Sequence, residues 1–255
     1  MRNIRLVIQY DGTNYSGWQV QPKVVTIQGI LQEKIGNITG EKTTVLGAGR
    51  TDAGVHAIGQ IGAFRTSSQL SSTIVQNALN ATLPHDIRIL NACDDDTSFH
   101  PRYDAKSKRY FYVISPARTL SPFFYRYAWK VPYTLDIDAM NCAVQLLKGR
   151  HDFSAFRASG CSAKNTIKTV FRLSIERSET MEFMCTKING AFLRIVIDAD
   201  SFLRHMVRNI IGTLIEIGKG RIRAGTISEI LSSKDRRCAG PCAPASGLFL
   251  DKVSY

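Results

Sequence analysis

The chain has 255 residues, 44% of them apolar, which suffices for a substantial core in one large domain or two small ones. Lysine and arginine outnumber aspartate and glutamate 33 to 21, and the net charge of +12 favours a polyanionic partner such as nucleic acid. No run of about 18 apolar residues argues for a membrane span, and Gln9, Asp11 and Asn14 interrupt any signal-peptide core after Met1, so a cytoplasmic protein is expected.

Residues 5–10 read as a strand that runs into the loop Asp11-Gly12-Thr13-Asn14-Tyr15-Ser16-Gly17-Trp18. Ile27, Ile30, Leu31, Ile35 and Ile38 then share one helical face. Residues 43–47 and 60–65 read as two short strands. A second helix is expected over 72–82, with Ile74, Val75, Ala78 and Leu79 on its apolar face and Pro84 beyond its end. A strand over 87–92 completes the series. Strand, helix, strand, strand, helix, strand is the split βαβ or ferredoxin-like plan, with two helices on one face of an antiparallel sheet.

A comparable set follows residue 98. A strand is expected over 108–115 and a helix over 137–148, with Asp136 as N-cap and Gly149 just past its end. Residues 169–176 read as a strand, and 183–188 should pair with 192–197 through an Asn189-Gly190 hairpin turn. A long helix over 202–217, a shorter one around Ile227, Ile230 and Leu231, and a last strand at 247–250 complete the chain. The expected fold class is therefore α/β of the α+β kind. It comprises two ferredoxin-like, RRM-like domains, 1–97 and 98–255, each a mainly antiparallel sheet with helices on one face, joined without a disordered linker. Residues 1–97 carry eight basic and eight acidic side chains and residues 98–255 carry 25 and 13, so the whole positive excess lies in the second part.

Six cysteines, at 93, 142, 161, 185, 238 and 242, are scattered and fall mostly in apolar periodic segments, as buried reduced thiols would. Cys238 and Cys242 are four apart without a second Cys or His pair, so no metal is expected.

The stretch Gly49-Arg50-Thr51-Asp52-Ala53-Gly54-Val55-His56 mounts one carboxylate on a glycine-flanked turn between two apolar strands. Gly47, Gly49 and Gly54 allow positive φ or close approach to a ligand. Asp52 is thus expected to be displayed, with Arg50 serving it or a neighbouring phosphate. By itself such a turn is more often structural. His56 follows Asp52 by four, a metal-pair spacing only on a helix; in a turn it reads as a structural hydrogen-bonding residue. Tyr110 and Tyr112 share one face of their strand and Phe111 takes the other, a pattern that strand packing alone explains. On the long helix Phe202, Leu203, Met206, Val207, Ile210, Ile211, Leu214 and Ile215 form one arc, with Arg208 at its margin and Arg204 near it. An arginine there either reaches a cleft from a packed stem or sits on the rim. Arg102, Lys106, Lys108, Arg109, Arg157, Lys164 and Lys168 are candidate contacts to a nucleic-acid backbone, each also readable as a solvated charge.

Seven segments in order along the chain resemble the tRNA pseudouridine synthase A family. They are Tyr10-Asp11-Gly12 with Ser16-Gly17-Trp18-Gln19, Gly49 to Ala57, Phe99-His100-Pro101-Arg102-Tyr103, Lys108-Arg109-Tyr110-Phe111-Tyr112, His151-Asp152-Phe153-Ser154-Ala155-Phe156-Arg157, Phe202 to Gly212, and Ala243-Pro244-Ala245-Ser246-Gly247-Leu248. Pro101 departs from the family's more usual Ala and leaves no catalytic role in doubt.

The resemblance implies a cofactor-free isomerase that converts uridine to pseudouridine at positions 38 to 40 of the tRNA anticodon stem-loop. It also implies a homodimer with tRNA contacts from both subunits. Asp52 matches the family's catalytic aspartate, Tyr110 its active-site tyrosine against the target base, Arg208 its arginine paired with the aspartate, and Leu248 a pocket-lining leucine. In this chemistry uracil loses its N1–C1′ bond, turns and rejoins through C5, without redox or hydrolysis. A carboxylate beside the ribose attacks carbon or assists loss of uracil by taking a proton. The uridine must first be extruded from its stack into a pocket. Two other readings compete. A non-catalytic basic RNA-binding module is weakened by the absence of a Lys/Arg-Gly-Phe-Gly-Phe type strand. A metal-assisted phosphodiesterase using Asp52 and His56 lacks further ligands.

Overall fold

Ile4, Leu6, Ile8 and Tyr10 alternate along β1 (Arg2–Tyr10), and all four are buried on one face. The computed structural model describes residues 1–161 and 163–255, and the chain divides into two units, Met1–Lys106 with Phe249–Tyr255, and Ser107–Leu248. In the first unit β1 is followed by α1 (Ile27–Thr39), β2 (Leu46–Gly47), β3 (His56–Thr66), α2 (Ser72–Thr82) and β4 (Ile87–Asp95). β1 lies between β4 and β3 and is antiparallel to both, as the ferredoxin-like plan requires. Along its other edge β3 holds two short partners: β2 opposite Ala63 and Gly62, and the C-terminal strand (Leu248–Ser254), parallel, opposite His56 and Ala57.

Both helices of this unit begin where a hydroxyl caps a backbone amide: Thr26 accepts from Gly29 and Ser71 from Ile74. α1 buries Ile27, Leu31 and Ile35, and α2 buries Val75 and Leu79. Ile74, expected on the apolar face, is half exposed, because the buried stripe runs through Val75 and Leu79. Only Leu46 and Gly47 of the expected 43–47 strand join the ladder; the Thr43 hydroxyl reaches the Arg65 carbonyl and the Val45 amide the Gln32 side chain instead.

The second unit contains β5 (Ser107–Ser115), β6 (Trp129–Lys130), α3 (Ile137–Leu147), β7 (Gly149–Asp152), β8 (Ile167–Phe183), β9 (Thr186–Ala199), α4 (Met206–Gly218) and α5 (Thr226–Ser233). Its strands run β5-β9-β8-β7, antiparallel, and β6 adds to β5 in parallel. α3 starts on the Asp136 carboxylate, which accepts from Ala139, and packs Met140, Val144 and Leu147 into a core with Ile210, Ile211, Leu214 and Ile215 of α4.

Asn189-Gly190 is not a turn: β8 and β9 form one long hairpin that reverses at Met184-Cys185, both with positive φ (48° and 62°), as a two-residue type I′ loop requires. The buried pair Leu173 and Ile197 fixes the inner register, and beyond a one-residue shift between Ser178 and Thr180 the outer ladder sets Phe183 opposite Thr186 and leaves Asn189 inside β9, opposite Thr180. The long helix begins at Met206, not 202, because His205 adopts φ 61°, so Arg204 lies in the turn before it. The cysteines are not core thiols. Cys142, Cys185, Cys238 and Cys242 are exposed and Cys93 and Cys161 half-buried; Cys142 sits two residues past the buried Met140, on the outer side of α3, and Cys185 at the hairpin tip. The recurring series of elements set the expected division at 97/98, and the compact units part at 106/107, with Phe249–Tyr255 returning to the first. No helix among the described residues is long and apolar enough to cross a membrane.

Candidate active site

Asp52 opens a four-residue turn closed by the Val55 amide on the Asp52 carbonyl at 3.1 Å, with Gly54 at φ 76° in the third position. A side chain other than glycine would be strained there. Asp52 is half-buried and Arg50 exposed, so the turn presents its charged groups while Thr51, 6% exposed, points inward. Thr51 shares a 2.8 Å hydrogen bond with the Tyr10 hydroxyl, and Gln60 Nε2 donates to the Gly49 carbonyl at 2.9 Å. Burial pushes the Tyr10 phenol up to about 12, against hydrogen bonds with Thr51 and Gln60 that lower it, so this tyrosine is neutral at physiological pH.

The loop after β1 lies backbone to backbone on the turn. The Trp18 amide donates to the Thr51 carbonyl at 3.0 Å and the Gly54 amide to the Tyr15 carbonyl at 3.3 Å. A Cβ on Gly17, which has φ 88°, would stand 2.5 Å from the Thr51 oxygen, and one on Gly12 would stand 2.0 Å from the Val55 oxygen. Glycine at these two positions therefore lets the loop seat the Asp52 turn. Trp18, 2% exposed, closes over Gly47, whose Cβ would meet its indole at 2.5 Å. His56 is 2% exposed; its Nδ1 accepts from the Gly12 amide at 3.1 Å, stands 3.0 Å from an Asp11 carboxylate oxygen, and its ring stacks on Phe249 at 4.7 Å. That is the structural role its spacing suggested.

In the second unit Tyr110 is buried and meets Phe202 edge-on at 5.1 Å. Two residues along the same face, Tyr112 is fully buried and its hydroxyl donates to the Pro244 carbonyl at 2.8 Å. Arg208, half-buried in the first turn of α4, donates through Nε to the Ala243 carbonyl at 2.7 Å, and the Ala243 amide returns to the Arg208 carbonyl at 3.1 Å. Burial raises the Tyr112 phenol well above its ordinary range, and the Arg208 charge acts in the opposite direction. The Leu248 amide donates to Ala245 at 2.9 Å, and Leu248 is 5% exposed. Arg208 and Leu248 thus belong to one hydrogen-bonded assembly. Tyr112, which its sequence pattern marked only as strand packing, is part of it too, and no local signal in the sequence points to its partner Pro244.

The candidate backbone cations divide. Arg102, Lys106 and Lys164 are exposed, whereas Arg157 and Lys168 are half-buried. Arg109 is engaged by Asp198 at 3.1 Å. Lys108 is only 7% exposed, because the alternation of β5 turns residues 108, 110 and 112 to the same buried face; it is corrected from a surface contact to a buried side chain.

The chain was compared with known proteins. The family described as tRNA pseudouridine synthase matches residues 6–104 and 143–255. A protein named tRNA pseudouridine synthase A from Thermoanaerobacter sp. (strain X514) is 45% identical over the whole of both chains. One of the same name from Thermodesulfovibrio yellowstonii is 43% identical, again over the whole of both. A third, from Myxococcus xanthus, is 41% identical over all of this chain and 92% of its own.

Proposed function

Since the chain belongs to the tRNA pseudouridine synthase family, we propose that it isomerises uridine to pseudouridine at positions 38 to 40 of the tRNA anticodon stem-loop, with Asp52 as its catalytic carboxylate. The observation that carries this reading is the Asp52 turn: one half-buried carboxylate presented by a backbone clamped from behind by Tyr10, Gln60, Gly12 and Gly17. Such rigidity suits a group that must meet one sugar carbon or its proton in a defined geometry.

The reaction breaks the N1–C1′ bond, turns the uracil and forms C5–C1′; the C5 proton is lost and N1 gains one, so no cofactor, oxidant or water is consumed. Asp52 acts at the ribose, as nucleophile or as base. Tyr110 lies against the extruded base, and its hydroxyl relays the C5 proton. Arg208, Leu248 and Arg50 bind the nucleotide and its flanking backbone. A homodimer working in the cytoplasm completes the reading; the +12 charge suits the polyanionic substrate.

Tritium release from tRNA labelled at uridine C5, run with and without chelator, tests it. Release unaffected by chelator, with pseudouridine appearing in the anticodon stem-loop, is the expected result. Tight tRNA binding without release would support a non-catalytic RNA-binding protein instead, and chelator-sensitive strand cleavage a phosphodiesterase.

A further inference from the structure

We propose that Tyr112 is a positioning residue for this isomerisation: its buried hydroxyl, by holding Pro244, sets where Ala243 lies and so how the Arg208 guanidinium is aimed. The inference rests on the activity proposed above. Ala243 and Pro244 are consecutive, and their two carbonyls are held from two elements, by Arg208 Nε at 2.7 Å from α4 and by the Tyr112 hydroxyl at 2.8 Å from β5. Pro244 has no amide hydrogen, so its carbonyl is the only main-chain group through which it can be tied. Ala243 is bound to Arg208 twice, since its amide also donates to the Arg208 carbonyl at 3.1 Å.

The guanidinium is a rigid plane, so a bond at Nε fixes the direction in which its two terminal nitrogens project. Wherever Ala243 sits, the plane follows. The segment is anchored on either side of this pair. The Gly240 amide donates to Thr213 Oγ1 at 2.9 Å and the Val113 amide to the Gly247 carbonyl at 2.9 Å. A Cβ on Gly247 would lie 2.6 Å from the Tyr112 ring, and one on Gly212 would lie 1.6 Å from the Pro241 oxygen. The segment is therefore fixed against α4 at Gly240 and against β5 at Gly247, the Arg208 and Tyr112 bonds set the stretch between, and Leu248 is delivered at its end. Tyr112 is fully buried, so it acts through these neighbours and not on the substrate.

The test is a double-mutant cycle on the full-length chain with tRNA. Tyr112→Phe keeps the ring and removes only the hydroxyl; Arg208→Lys removes the Nε donor that couples the side chain to Ala243. One hydrogen bond of ordinary strength corresponds to about two- to ten-fold in rate. Tyr112→Phe is expected to lower kcat by about that factor while KM for tRNA changes by less than about two-fold. In the Arg208→Lys background it is expected to have no further effect. Trp129→Phe, which alters the aromatic packed edge-on against Tyr112 at 6.3 Å but not the hydroxyl, serves as the structural control and should show no coupling to Arg208. All rates are read well below the melting temperature of each variant. An unchanged kcat in Tyr112→Phe, or an equal fractional loss with and without Arg208, would overturn the positioning role alone. A wild-type chain that releases no tritium would overturn the activity and the role together.

Discussion

The Tyr10 hydroxyl and Thr51 Oγ1 share a 2.8 Å hydrogen bond in the interior, so the residue before Asp52 is tied to the end of the central strand of the first sheet. Both partners are buried, 3% and 6% exposed. The position of the carboxylate is therefore inherited from β1 and not from the turn alone.

Tyr10→Phe should thus loosen the turn without unfolding the sheet. Loss of one buried hydrogen bond is expected to cost about 0.5–1.5 kcal/mol in urea unfolding, with kcat falling several-fold and tRNA affinity unchanged. The phenol is raised from 10.0 to about 12, so its contribution is fully present below pH 10 and is lost as pH rises through about 12. The stability gap between wild type and Tyr10→Phe should hold constant from neutral pH to about pH 9 and narrow above pH 10. A gap that widens with alkali would contradict a neutral buried Tyr10.

Asp52→Asn is expected to abolish pseudouridine formation while tRNA binding persists, because it removes the carboxylate and preserves the clamped backbone around it. Turnover and affinity must be measured on the same preparation. Appreciable residual turnover would remove Asp52 from the chemistry.

Binding of tRNA should be salt-sensitive, since each phosphate neutralised releases condensed counterions. Raising salt from about 50 to 200 mM is expected to weaken binding by one or more powers of ten. Neutralising the exposed Arg102, Lys106 and Lys164 should flatten the slope more than changing Lys23, Lys34 and Lys42 of the charge-balanced first part. Lys108 and Arg109 should contribute little to the slope, the first being buried and the second engaged with Asp198. A shallow slope, or a greater loss from the early lysines, would show that the charge asymmetry does not mark the tRNA-binding surface.

At the end of β7 burial of the Asp152 carboxylate acts to raise its pKa, and hydrogen bonds from Ser154 and Thr166, with Lys234 alongside, outweigh it and hold the group at about 2. A depressed carboxylate stabilises the fold above its unfolded value near 3.8, and that contribution is lost as pH falls through about 2. Asp152→Asn is expected to cost on the order of 1–2 kcal/mol at pH 7. The difference should shrink toward zero as urea titrations are repeated nearer pH 2. A deficit that does not change with pH would assign the loss to packing.

The sequence by itself determined the elements whose cause is local. Alternation along residues 5–10, the helical face of α1 and the Asp136 cap of α3 need only neighbours within a turn or a strand. The glycine-flanked carboxylate was legible for the same reason. Tertiary structure alone decided the features where distant contacts outweigh local preference. Asn189-Gly190 is a strong turn signal, yet the buried register of β8 against β9 moved the reversal to Met184-Cys185. Phe249 and Leu250 joined β3, almost two hundred residues earlier in the chain, because the edge beside His56 and Ala57 still had backbone groups to pair. Gly12, Gly17 and Gly247 could be seen as glycines, but what each must not touch, the Val55 oxygen, the Thr51 oxygen and the Tyr112 ring, exists only once the chain has folded. Tyr112 went unrecognised on the same ground, since its partner Pro244 is 132 residues away and no local pattern records a hydrogen bond of that span.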